Sequence, residues 1–420
     1  MMSPRSNTRL RVNWSLILIY IALVFIGWIN IYAAVYSPGN PGIFSLSHNA
    51  GKQLLWIGTA AVIIFVVMII DAKFYSAVSF LVWLGVMGLL VAVLLFGKEI
   101  AGSRSWFQIG GFSLQPSEFA KTATALALAS FLSRKEFDPR KWINRLGALA
   151  IFLLPAGLIL LQHDTGSAMV FSAFFLVLFR EGLSGKLLIL VAVSALLFLL
   201  ALLINKFILI GILAGLLVLL IAISKNLRKR WLILAAGFLI LSGYIFSVDY
   251  AFENVLQPHQ KKRINVLLGI ENDIHGAGYN VHQSKIAIGS GGFSGKGYLK
   301  GTQTKFDFVP EQSTDFIFCT VGEEWGFLGS AVVILLFFAL IVRIVMAAEN
   351  QRSAFSRIYG YGVASVLLFH FAVNIGMTIG LFPVIGIPLP FVSYGGSSLW
   401  GFTLMLFIFI RLDASRLELL

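Results

Sequence analysis

Apolar runs of about 17–25 residues recur along nearly the whole chain, and this property restricts the fold most tightly. In lipid every backbone polar group must be paired internally, which leaves helices or closed barrels. Barrel strands alternate every second residue, and runs such as "LVWLGVMGLLVAVLLF" do not. The chain therefore reads as an all-α polytopic membrane protein. Its composition agrees, being 58% hydrophobic and only 12% charged, where a soluble domain carries about 25% charge.

Twelve spans are expected, near residues 14–36, 52–70, 75–96, 117–133, 147–162, 166–180, 187–204, 207–223, 231–248, 315–342, 358–381 and 391–410. The first is too long for a signal-peptide core and is read as retained. A net charge of +13 would suit nucleic acid, but its distribution argues otherwise. With both termini cytoplasmic, 20 of the 32 basic residues fall inside and satisfy the positive-inside rule. The charge thus serves topology, and no nucleic-acid partner is expected. The single cysteine, Cys319, excludes a disulfide within the chain.

The organisation is one integral membrane domain over 1–420, with two external segments too long to be turns. Gly97–Gln115 is the first. The second is a large extracytoplasmic loop at 249–313, before the tenth span, which holds seven basic residues. Within it "GYNVHQSKIAIGSGG" reads as a short amphipathic interfacial helix. The glycine-rich "GSGGFSGKGYLKGTQ" follows, without the dinucleotide-binding spacing. No internal duplication is visible, and the six histidines lack metal-type spacing.

Ionisable residues at membrane depth cost roughly 2.5–3.5 kcal/mol each, so each is a functional candidate. "FVPEQSTDFIFCTVGEEWG" gathers Glu311, Asp315, Glu323 and Glu324, four of only 19 acids. Pro310, Ser313 and Thr314 read as a helix start with Asp315 in its first turn. Asp315 is either a carboxylate favoured by the helix dipole or one held at the outer surface to take a proton. Glu323 and Glu324 lie about 12–14 Å deeper on other faces, so the four acids cannot share one ligand. Glu324 is expected to bind a neighbouring helix. In "QPSEFAK", Glu118 and Lys121 share a face, either as an ion pair or with Lys121 reaching an anion. Asp164 in "QHDTGS" is an N-cap or a site acid. Arg104 and Trp106 in "SRSW" suit a phosphate-bearing sugar or a membrane anchor. "FPVIGIPLPFVSYGGSS" reads as a rigid re-entrant turn lining a cavity. Acids (Asp315, Asp164, Glu311) and cations (Arg104, Lys121, Lys285, Lys296) above an apolar body suit an anionic lipid, handled by an enzyme or a flippase.

Together "SRSWFQIGGFSLQPSEFAK", "QHDTGSA", "HQKKRINVLL", "GAGYNVHQSKIAIGSGGFSGKGYLKGTQTKFDFVPEQSTDFIF" and "NIGMTIGLFPVIGIPLPFVSYGGSS" resemble the SEDS family of shape, elongation, division and sporulation proteins. The GTQ is most like its RodA branch. The resemblance covers most of the chain and implies a SEDS-type (GT-C-like) helical bundle with about 10–12 spans. It implies a peptidoglycan glycosyltransferase that polymerises lipid II at the outer leaflet of the bacterial inner membrane, during elongation. The implied partner is a class B penicillin-binding protein. By position the family's essential acid falls on Asp315, its important Trp on Trp106, and its paired residues on Glu118 and Lys121. The acid of a further motif falls on Asp164. The chain departs from the family in the hydrophobic 187–248 region, which adds two spans to the usual ten, and in Ser313, where a His is usual.

On this reading Asp315 is the general base for the acceptor 4-hydroxyl, and one base without a covalent nucleophile implies inversion. Arg104, Lys121, Lys285 and Lys296 would stabilise the departing diphosphate, with a divalent cation (Mg or Mn) as an optional contributor. The rival readings are a lipid-precursor flippase and a division-type polymerase.

Overall fold

A computed structural model of the chain describes residues 12–36, 43–46, 48–100, 102–110, 112–183, 185, 189, 193–194, 197–198, 200–201, 204–223, 228–254, 261, 265, 278–304 and 308–416. Helices α1 (Trp14–Val35), α2 (Asn49–Ile69) and α3 (Ala72–Phe96) come first. A small sheet follows, β1 (Lys98–Ile100), β2 (Ser103–Ile109) and β3 (Phe112–Leu114), antiparallel in the order β1-β2-β3. Next are α4 (Pro116–Leu132), α5 (Trp142–Leu161) and α6 (Thr165–Arg180), the last interrupted by a 3₁₀ turn at Phe171–Ala173. Then come α7 (Lys206–Ile223), α8 (Trp231–Asn254), α9 (Tyr279–Ser290), α10 (Ile317–Glu349), α11 (Ala354–Thr378) and α12 (Gly396–Ala414). Among the described residues nine of these helices are long and apolar enough to cross a membrane.

Local chemistry explains the boundaries. Asp71 caps α3 by accepting from Lys73 N at 2.9 Å. Pro116 occupies the first turn of α4, where its missing N–H costs nothing.

The chain divides into two contact units, residues 1–183 with 279–420, and residues 184–278. In the second unit α7 packs on α8, joined by a Lys206–Asp249 ion pair of 2.6 Å. In the first, α12 and α11 form the buried centre, whereas α2 and α3 lie mostly exposed. Although only Ile70 and Asp71 separate them, α2 packs on α12 and α3 on α4, and the two scarcely touch each other.

Separate sets of bonds tie the helices together at their two ends. At one end Asp413 accepts from Asn13 and Gln351, Arg411 Nε donates to Ile70 O, and Arg357 pairs with Glu181. At the other, Gln312 reaches Ala34 O and Gly395 N reaches Gln53.

Several expected boundaries change, and one expected span lies largely outside the described residues. The segment 97–115 holds a sheet, which short strands in a polar loop did not announce. The tenth expected span starts at Ile317, not 315, and the last at Gly396, not 391. The loop expected from 249 begins beyond Asn254, where α8 ends, and it holds α9 where a short helix was expected. The span expected at 187–204 falls largely outside the described residues.

Candidate active site

Asp315 lies in a run of turns, 310–316, ahead of α10 rather than in its first helical turn. Three consecutive backbone carbonyls fix this run. Ser313 O accepts from Tyr394 N at 2.9 Å, Thr314 O from Ser393 Oγ at 2.6 Å, and Asp315 O from Asn374 Nδ2 at 2.9 Å. Asn374 Nδ2 also donates to Ile387 O at 2.8 Å, so one buried amide holds the turn and the 379–395 loop together. Gln312 Nε2 anchors the other side on Ala34 O at 2.7 Å. Unpaired carbonyls would be costly here, and these bonds give each one a partner. The Asp315 side chain is half-buried, facing Gly386. Gly386 has φ +69°, and a Cβ there would come 3.4 Å from Asp315 Oδ2. Glycine thus supplies the backbone conformation, while a Cβ would make only an ordinary contact with the carboxylate. Glu311 is exposed and accepts from Thr314 Oγ1 at 2.8 Å within its own turn.

The re-entrant turn expected at 382–398 forms the wall behind Asp315. Its Ile385 carbonyl lies where a Cβ on Gly166 would fall, so the loop packs directly on the start of α6. Asp164 caps that helix, accepting from Ser167 N through Oδ1 at 2.9 Å and from Gln115 Nε2 through Oδ2 at 2.9 Å. Gln115 N donates to Ser397 Oγ at 3.1 Å, and Ser397 Oγ to Ser113 O at 3.1 Å. The starts of α4, α6 and α12 and the end of β3 are therefore stitched together, with Asp164 as a cap.

Arg104 and Trp106 share one face of β2, because strand side chains alternate. The other face turns Ser105 inward, hydrogen-bonded to Ser103, whose Oγ reaches Gln162 O at 3.1 Å. The backbone N–H of Arg104 donates to Gln162 O at 3.0 Å, two residues before Asp164, and its side chain is exposed.

Glu118 and Lys121 form a buried ion pair of 2.8 Å, with side chains 2% and 1% exposed. Lys121 Nζ also lies 3.0 Å from His370 Nε2 and 4.4 Å from the Phe402 ring centroid. Of the two readings of this pair, the structure places the ammonium in the core rather than at an open surface. Lys285 is exposed on α9, its stem against Gly380 at the start of the loop.

The deeper acids do different work. Gly326 has φ +63° and breaks α10, freeing groups that a continuous helix would pair. The glycine-rich loop after α9 supplies the missing partners. Lys296 N donates to Glu323 O at 3.1 Å and Gly297 N to Glu324 O at 3.0 Å. In return Phe327 N donates to Gly292 O at 2.9 Å and Leu328 N to Phe293 O at 3.1 Å. Any side chain at Gly295 would strike the Glu324 carbonyl, so only glycine permits this approach. The Glu323 carboxylate then gathers Thr302 N (2.7 Å), Gln303 N (2.9 Å), Thr304 N (2.9 Å) and Lys296 Nζ (2.7 Å). The Glu324 carboxylate faces the backbone of Leu299 and Gly301. Its partner is this loop, not the neighbouring helix expected from sequence, and Lys296 is engaged by Glu323. Burial pushes the nearby Tyr298 phenol up to about 12.

Sequence reasoning missed Asn374, His370 and Ser393. The signals were present but not read residue by residue: His370 within an expected span, and Asn374 and Ser393 within the motif "NIGMTIGLFPVIGIPLPFVSYGGSS". Among the described residues no three His, Cys, Asp or Glu side chains converge as a metal cluster.

The chain is similar to a known family throughout. The FtsW/RodA/SpoVE model, described as cell cycle protein, matches residues 13–211 and 195–417. Peptidoglycan glycosyltransferase RodA of Treponema pallidum is 34% identical, over 96% of this chain and 98% of that protein. Peptidoglycan glycosyltransferase MrdB of Escherichia coli K12 is 33% identical, over 94% and 93%. Among solved structures, a chain of a peptidoglycan synthase complex that coordinates polymerization and crosslinking matches with TM-score 0.71 and 26% identity, over 97% and 99%. The rod shape determining protein RodA of Thermus thermophilus matches with TM-score 0.63 and 25% identity, over 97% and 99%.

Proposed function

Because the chain belongs to the FtsW/RodA/SpoVE family, we propose that Asp315 is the general base with which it extends glycan strands. The protein is a membrane-embedded peptidoglycan glycosyltransferase of the RodA kind. Its substrate on this reading is lipid II. The acceptor sugar's 4-hydroxyl gives its proton to Asp315 as its oxygen attacks the donor's anomeric carbon. The bond to the lipid diphosphate breaks on the opposite face, so an α-linked donor gives a β-linked product. Positioned base catalysis of this kind typically contributes 10²–10⁴-fold.

The observation that carries this reading is the clamp on residues 313–315, which fixes the Asp315 backbone while its carboxylate stays half-exposed. Arg104, exposed on β2, and Lys285, exposed at the loop's start, are the proposed diphosphate contacts. Trp106 would support the sugar and Asp164 would hold the α4–α6 corner. Lys121 and Glu118 would act from the core, and a divalent cation, where used, would arrive on the diphosphate's own oxygens. A class B penicillin-binding protein is the proposed partner, and the face carrying Asp315 is proposed to look into the periplasm.

Purified protein given lipid II tests the activity. Polymeric glycan supports the glycosyltransferase, and leaflet exchange of lipid II without polymer would favour the flippase.

Asn374→Ala tests the clamp. It leaves the carbonyls of Asp315 and Ile387 without their amide, at a cost of about 1–3 kcal/mol for a buried group left unpaired. The base would shift, and misplacement of about 1 Å costs on the order of 10²-fold in rate. A folded Asn374→Ala protein with wild-type turnover would show that the clamp is irrelevant to catalysis.

A further inference from the structure

One buried hydrogen-bond chain joins the α4 ion pair to the loop behind Asp315. His370, on α11, is 1% exposed. Its Nδ1 lies 3.0 Å from the Pro388 carbonyl oxygen and its Nε2 3.0 Å from Lys121 Nζ. A carbonyl can only accept, so Nδ1 carries the proton in this arrangement. Nε2 is then free to accept from the Lys121 ammonium, which also donates to Glu118 Oε2 at 2.8 Å. The ring is held edge-on to Phe402, with centroids 4.8 Å apart at 87°, and the face of Phe402 receives the same ammonium. Both the tautomer and the orientation of His370 are thus set by its surroundings.

Asn374 lies one turn further along α11, on the same face. It holds Ile387 O and Asp315 O, while His370 holds Pro388 O. Residues 387 and 388 therefore hang from α11 on two adjacent rungs. The next residue back, Gly386, is the one that faces the Asp315 carboxylate.

We propose that His370 is a positioning residue for glycan polymerisation, tying the buried Glu118–Lys121 pair to the 386–388 loop that walls Asp315. The proposal rests on the reading of Asp315 as the base. His370 touches core side chains and a loop carbonyl, so it acts on the turnover of bound substrate rather than on its capture. This gives the Glu118–Lys121 pair a route to the reacting centre without requiring either side chain to touch the sugar.

The test uses the full-length purified protein and lipid II. His370→Phe keeps a ring beside Phe402 and removes both hydrogen bonds. His370→Asn keeps an amide N–H that can reach Pro388 O. His370→Phe is expected to lower kcat by roughly 30-fold or more, with KM for lipid II within about threefold of wild type. His370→Asn is expected to recover about tenfold of that loss. Wild-type kcat in His370→Phe overturns the proposal, as does equal impairment in both variants. If His370→Phe yields no folded protein, His370→Gln replaces it, since its amide reaches toward Lys121 and past Pro388 O. His370→Asn should then exceed His370→Gln by about tenfold in kcat, and equal rates overturn the proposal. Asp315→Ala in the same assay separates the two levels. If that variant is inactive while His370→Phe is unaffected, only the positioning role falls. If Asp315→Ala is itself active, the reading of the base falls.

Discussion

Asp315→Asn and Asp315→Ala proteins are expected to lose polymerisation by 10²–10⁴-fold, the range of a positioned general base, while remaining folded. The structure explains why fold and activity should separate here. The turn is held through the backbone carbonyls of residues 313–315 and the amide of Gln312, and neither substitution removes those groups. The asparagine variant keeps the shape beside Gly386 but has no basic oxygen of comparable strength. Polymer length and yield from lipid II measure the activity, and the melting temperature checks the fold. Equal loss of both would make Asp315 a structural residue.

Glu323→Ala is expected to act on the fold instead. The side chain is fully buried and receives three backbone N–H groups, Thr304 Oγ1 and the Lys296 ammonium. Removing one partner of a buried ion pair typically costs about 3–5 kcal/mol. Lys296 is partly solvated, which places its share at the lower end, but the amides of residues 302–304 would also lose their acceptor. The predicted result is a lowered melting temperature and new protease cleavage within 296–304. Glu323→Gln should fall between, since one amide oxygen can still accept and the NH₂ must face donors. A Glu323→Ala protein with wild-type melting and cleavage would mean that the loop is held by its backbone exchange with α10 alone.

Much of the fold was legible because spans announce themselves by apolar length, and because basic residues mark one set of ends. The helix at 279–290 and the glycine-rich loop after it were legible for the same kind of reason: local composition decides them. The sheet at 98–114 was not, since β1 and β3 have three residues each with none buried, and the inward face of β2 opens with Ser103 and Ser105 rather than with apolar residues. The four acids of 308–326 show where helical geometry stops helping. Treating that stretch as one continuous helix correctly separated Asp315 from Glu323 and Glu324, but it pointed Glu324 at another helix. The break at Gly326 and the loop that fills it are tertiary features, visible only once residues 291–304 are packed against α10. Asp164 as a cap and Glu118–Lys121 as an ion pair were each one of two local readings, and both contacts are present in the structure. Asn374 and Ser393 lay inside a quoted motif but were not singled out, because an amide or hydroxyl that holds a distant carbonyl looks like any other polar residue in a span or loop.

Chemical rescue tests the central claim, that Asp315 acts as the base, most directly. The Asp315→Ala protein leaves space for a small carboxylate beside Gly386. Formate is predicted to raise its polymerisation of lipid II by at least about tenfold, without accelerating the wild type, and to give β-linked product. A formate-independent Asp315→Ala rate equal to wild type, or α-linked product, would contradict the account.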